Sequence, residues 1–161
     1  SVPQIGGFFS DLSAEDNLNA VGEILIKDVK NRKLKIEELI SKFELDAVRK
    51  VEAKFLSGGM KRRLVISMSL LGEPEILLMD EPLAALDPQT IQMLQTIIIK
   101  LQSEYNLTIL ITDHQARDLL VVCDRAVILS NSKIVAEGTP NQLMQNDNAA
   151  KYYFGDNFKF K

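Results

Sequence analysis

Two neighbouring carboxylates and a glycine turn are the residues whose types and spacing could do chemistry here. Asp80 and Glu81 end the apolar run Ile76 to Met79, and Ser57, Gly58 and Gly59 stand directly before the helix-forming stretch Met60 to Leu71. The carboxylate pair suits phosphoryl transfer: Asp80 can hold Mg2+ through its water shell while Glu81 polarises an attacking water. A helix start offers unpaired N–H groups and the positive end of the helix dipole. Glycines there let a phosphate reach the backbone with no Cβ in the way. Alone, Ser-Gly-Gly is a common turn and Asp-Glu is common solvated surface. Their succession across one helix and one strand points to a nucleotide.

The elements that must position these groups are legible as pattern. Four consecutive apolar residues after Pro74 predict a parallel strand over Ile76–Met79, buried on both faces. The carboxyl ends of such strands line the ligand crevice of an open sheet. Leu107–Thr112 reads as a second buried strand ending at Asp113 and His114, the chain's only histidine. Leu64, Ser67, Met68 and Leu71 share one face of the helix after the glycines. Asp87-Pro88 supplies an N-cap and a first-turn proline for another helix, with Ile91, Leu94, Ile98 and Leu101 as its stripe. Upstream, Ser13 and Asp16 form a capping box ahead of a face made by Leu18, Val21, Ile24 and Leu25. A basic stretch, KDVKNRK, then separates it from a second face of Ile36, Leu39, Ile40 and Phe43. Ala126–Leu129 and Lys133–Ala136 read as a hairpin, closed by Glu137-Gly138-Thr139-Pro140 and a short helix.

With 161 residues, of which 46% are hydrophobic, the chain can bury one sizeable core. The net charge of −3 gives no electrostatic footprint for nucleic acid, and none is expected as a partner. The single Cys123 excludes a disulfide within the chain and reads as a small buried hydrophobe. No apolar run approaches the roughly 20 residues needed to cross a bilayer, and the start carries no basic-then-apolar leader.

LSGG at 56–59, an apolar helix, ILLMDEP at 76–82 and ALDP at 85–88, in that order, resemble the ATP-binding cassette (ABC) ATPases. The resemblance implies an α/β P-loop NTPase, an ABC-type nucleotide-binding domain with a helical subdomain insertion. Residues 1–55 would hold the Q-loop and helical subdomain. Residues 56–138 would hold the signature, Walker B, D-loop and switch, and 139–161 a C-terminal helix and tail. It further implies that Gln4 reaches Mg2+ and the attacking water, and that His114 touches the γ-phosphate of ATP. Asp87 would cross the interface of a homodimer in which Ser57 to Gly59 face the ATP held by the second ATPase subunit. A groove between the Q-loop and the helical subdomain, with Phe8 and Phe9 near it, would receive transmembrane transporter subunits. That places the protein peripherally on the cytoplasmic side of the inner membrane. KYYFGDNFKF at 151–160, ITDHQARDLLVVCDRA and the opening PQ with DLSAEDNLNAV resemble the branch that powers lipopolysaccharide export. Branched-chain amino-acid importers have similar switch regions and stay an alternative.

Two departures qualify the resemblance. Met60 follows LSGG where the family carries Gln or an acidic residue, which is expected to alter contacts near the ribose. The pattern G-x-x-x-x-G-K-[ST], which cradles the α- and β-phosphates, does not occur, nor does an upstream aromatic residue for the adenine. Together with a start on Ser1, this reads as the C-terminal two-thirds of an ATPase. The intact form is then expected to hydrolyse ATP and the 161-residue chain alone to be inactive. The competing class is a truncated, non-catalytic paralogue acting as a binding module. Chromosome-maintenance ATPases share LSGG but need long coiled-coil heptads, which are absent from this sequence.

Overall fold

The computed structural model describes residues 7–146 and Ala149; Gln4 and the 151–160 tail lie outside the described residues. Helix α1, Ala14–Leu25, starts where Ser13 Oγ accepts the Asp16 N–H at 3.1 Å. The box closes differently from expectation, because the Ser13 hydroxyl donates to Asp16 Oδ2 at 2.6 Å. Leu18 is buried, but Ile24 and Leu25 are 78% and 51% exposed, which corrects the predicted face. The helix is buried along Ala14, Asn17, Leu18 and Gly22. Ile24 is turned roughly 200° from Gly22. Gly22 packs so closely on α2 that a Cβ would sit 3.2 Å from the Arg32 side chain. Helix α2, Val29–Lys42, begins inside the basic stretch, N-capped by Asp28, and buries Ile36, Leu39 and Ile40. Phe43, just past its end, is buried as well.

Helix α3 runs Gly58–Leu70, strand β1 Ile76–Asp80, helix α4 Pro88–Tyr105 and strand β2 Thr108–Thr112. The strands pair in parallel from Ile76 opposite Thr108 to Asp80 opposite Thr112. Leu77 and Met79 enter a core shared with Leu64 and Ile66 of α3 and Leu94 and Ile98 of α4. The expectation of strands buried on both faces is corrected: Ile76 is 60% exposed and Leu110 60%. Helices α3 and α4 pack against the side that carries Leu77 and Met79, whereas Ile76, Leu78 and Leu110 on the other side are exposed.

Helix α5, Ala116–Leu120, leads to strands β3, Ala126–Ser130, and β4, Lys133–Gly138, which pair antiparallel. Their turn places Asn131 and Ser132 at φ of 49° and 59°, the double left-handed turn that matches strand twist. Helix α6, Pro140–Met144, is closed by a complete capping box between Thr139 and Gln142. Leu120, Ile128, Ala136 and Leu143 form a smaller second core.

Candidate nucleotide site

The parallel register brings Asp80 level with Thr112, whose hydroxyl donates to Asp80 Oδ1. Pairing continues one residue past the strand, since the Glu81 N–H donates to the Thr112 carbonyl at 2.7 Å. At Glu81 the backbone then turns, with φ at 45°, a left-handed conformation that disfavours any residue with a Cβ. Three bonds to its backbone hold this residue: the one to Thr112, and two to the Glu81 carbonyl, from Arg62 Nη2 at 3.0 Å and from the Ala84 N–H at 3.2 Å. The turned carboxylate is only 21% exposed, and its Oε1 lies 2.7 Å from His114 Nε2. The imidazole itself is 85% exposed, so its role is not core packing. Asp113 locks the two loops together, Oδ2 accepting the Leu83 N–H at 3.0 Å and Oδ1 the Gln115 N–H at 2.9 Å. Burial works against the Arg62 charge, and the neighbouring Asp113 carboxylate works in its favour. A cleft of about 310 Å3 lies over these groups, lined by Asp80, Glu81, Thr112, Asp113 and His114 and by apolar residues of α5 and β3.

Ser57, Gly58 and Gly59 lie elsewhere. The glycines form the first turn of α3 and not a turn ahead of it, and Ser57 is the N-cap, Oγ accepting the Met60 N–H at 3.3 Å. A Cβ on Gly59 would fall 2.8 Å from Thr90 Cγ2, whereas one on Gly58 would meet only Leu86 Cδ2, at 3.5 Å. The start of α3 therefore abuts the start of α4. There Asp87 Oδ1 accepts from the N–H groups of Gln89 (3.1 Å) and Thr90 (3.0 Å). The Thr90 hydroxyl and these N–H groups hold the Asp87 carboxyl below its usual range. The structure thus unites Asp80, Glu81 and His114 in the cleft and Ser57–Gly59 with Asp87 in a second group. Gln4 lies outside the described residues.

Comparison with known proteins identifies the family. A sequence profile of the ABC transporter family matches residues 1–84. The chain belongs to the ABC transporter family. It is 39% identical over 160 residues to the lipopolysaccharide export system ATP-binding protein LptB of Haemophilus influenzae, covering 98% of this chain and 66% of that one. Its identity to the LptB of Escherichia coli K12 is 36% over 161 residues, with the same coverage. Among solved structures, the ATP-binding cassette MJ1267 superposes with a TM-score of 0.81 at 21% identity, over 96% of this chain and 67% of that one. The protein cbiO1 of Clostridium perfringens, part of the cbiONQ ABC transporter complex, superposes at 0.79 and 22% identity, over 90% and 57%. The two structural likenesses carry the fold. The chain spans just under two thirds of the length of the LptB relatives it matches.

In this ABC chain, two buried polar residues that sequence reasoning missed, Arg62 and Asn17, hold loops in place. Arg62 interrupts the apolar face of α3, and a charged residue at an inward helical position was the available signal. Asn17 was hidden in a polar-looking helix start, yet it is fully buried. Its Nδ2 donates to the carbonyls of Phe9 (3.0 Å) and Ser13 (2.9 Å), and its Oδ1 accepts the Phe9 N–H at 2.7 Å. Asn17 thereby fixes the loop that holds Phe9 out at 56% exposure, while Phe8 packs on the core. Cys123 is half-buried, and burial pushes its thiol up, away from nucleophilic use. Among the described residues no group of three or more His, Cys, Asp or Glu gathers to hold a metal. Mg2+ in phosphoryl-transfer sites takes one or two carboxylates and completes its shell with phosphate oxygens and water, and Asp80 fits that donor set. No described helix is long and apolar enough to cross a membrane.

Proposed function

We propose that this chain is the catalytic part of an ATP-hydrolysing ABC transporter subunit that works as a dimer and powers lipopolysaccharide export. The observation that carries the chemistry is the Glu81–His114 contact of 2.7 Å at the carboxyl ends of paired parallel strands. Glu81 is the general base: its carboxylate takes a proton from the attacking water, and its held backbone turn aims it into the cleft. His114 orients that carboxylate and reaches the transferred phosphate. Asp80 would hold Mg2+, whose chemistry when bound is to neutralise charge on the phosphates. Gln4 is assigned to the same ion and water. Ser57, Gly58 and Gly59 present a helix start to the nucleotide of the second subunit, and Asp87 lies at that interface. The name of the relatives at 36–39% identity supports lipopolysaccharide as the cargo; transmembrane transporter subunits at the inner membrane complete the proposal.

The test is Glu81→Gln in the protein as its gene encodes it. Nucleotide affinity should stay within about threefold, and steady-state phosphate release should fall by roughly 10² to 10⁴, the range for losing a general base. Turnover near that of the wild type would remove Glu81 from the mechanism.

A further inference from the structure

Helix α3 carries two functional contacts at different depths. Its exposed start bears Ser57 and Gly58, and its second turn buries Arg62 at 9% exposure. Arg62 Nη2 reaches out of the core to the Glu81 carbonyl at 3.0 Å. A buried guanidinium loses several kcal/mol of hydration, so a position beside Leu64 and Val65 is tolerated only where its donors are well used. The acceptor it uses belongs to a residue at φ 45°, whose N–H is fixed to Thr112 at 2.7 Å. The left-handed residue is therefore held from β2 at its N–H and from α3 at its carbonyl, which also accepts the Ala84 N–H at 3.2 Å; Arg62 is the side chain that joins this turn to α3.

We propose that Arg62 is a positioning residue that ties the signature helix to the catalytic carboxylate of its own subunit. The inference rests on the proposed dimer, in which the start of α3 serves the opposite subunit's nucleotide. Ser57 and Arg62 lie about 7.5 Å apart along one helix axis, close enough for a single rigid element to link them. A phosphate drawn onto Ser57–Gly59 at one site would then bear on the aim of Glu81 at the other. The residue acts on Glu81 in cis, whereas the signature turn acts in trans.

That difference supplies the test, made with the full gene product. In the Arg62→Met homodimer kcat should fall at least about tenfold while KM and nucleotide affinity stay within about threefold; Arg62→Lys, which keeps a donor, should recover part of the loss. Mixed dimers then separate cis from trans action in single-turnover phosphate release. With Arg62→Met and Glu81→Gln on the same subunit, the other subunit keeps an intact Glu81, and release should exceed that of the opposite-subunit arrangement by at least about fivefold. Equal release, or the reverse order, overturns the proposal. If Arg62→Met fails to fold, Arg62→Gln is placed in the same two arrangements and judged by the same ratio. An active Glu81→Gln homodimer would instead sink the assignment of the base, a result distinct from loss of the cis pattern.

Discussion

Glu81 meets two demands that oppose each other: it must leave a strand sharply, and it must hold its carboxylate still. Its left-handed backbone satisfies the first at a cost of roughly 1–2 kcal/mol, offset by the bond it donates to the Thr112 carbonyl and those its carbonyl accepts from Arg62 and Ala84. That Glu81 and His114 lie just past strand ends was legible because both follow apolar runs, and a strand end is a position that a run of apolar residues defines. Arg62 was harder to read, because Lys61, Arg62 and Arg63 look alike in a row and only helical phase decides which points inward. His114 offers a clean separation of catalytic from structural roles. With 85% of its imidazole exposed, His114→Ala should change stability by no more than about 0.5 kcal/mol. Turnover should fall by about 10²-fold, the low end for a positioned proton-transfer partner. Thermal melting measured beside phosphate release checks this; activity that merely follows the folded fraction would return His114 to a structural role.

At the scale of elements, the two signature glycines look equivalent in sequence and are not equivalent in space. Gly59 is required by packing, because Thr90 Cγ2 occupies the place where a Cβ would go, and Thr90 is itself tied to Asp87. Gly58 is exposed, a Cβ there meeting only Leu86 Cδ2 at 3.5 Å, and in the proposed dimer its lack of a Cβ would serve the approaching nucleotide. Gly59→Ala should therefore cost about 1–3 kcal/mol through overpacking and lower the melting temperature by several degrees. Gly58→Ala should melt within about 1 kcal/mol of the wild type yet lose turnover, since α3 tolerates alanine but the phosphate does not tolerate its methyl. Calorimetry and phosphate release on the pair decide; identical melting losses would mean that both glycines serve packing. The same contrast explains what periodicity missed in α1. Leu18, Ile24 and Leu25 are alike as apolar residues, but the close approach at Gly22 selects which flank of the helix is covered.

Across the whole molecule, element type and order were legible, while burial was only half so. The run Ile76–Met79 reads as buried on both sides because apolar content carries no record of which layer covers which face. In the structure α3 and α4 supply one layer, against Leu77 and Met79, and Ile76, Leu78 and Leu110 are exposed on the opposite side. The hairpin and its turn were plain because Asn131 and Ser132 tolerate positive φ, a local property. Surface function depends on the same distinction between local type and global burial, and Phe8 and Phe9 put it to the test. Phe8 packs against the core and Phe9 is 56% exposed on a loop pinned by Asn17. Phe8→Ala should destabilise the fold, by less than the roughly 3–5 kcal/mol of a fully buried phenylalanine because it is only partly covered. Phe9→Ala should leave melting and the turnover of the isolated dimer unchanged and reduce recovery of the transmembrane subunits in co-purification, because an exposed aromatic ring of this size contributes most when a partner covers it. Full recovery of those subunits with Phe9→Ala, at unchanged melting, would take the loop out of the docking surface and leave Asn17 with a purely structural task.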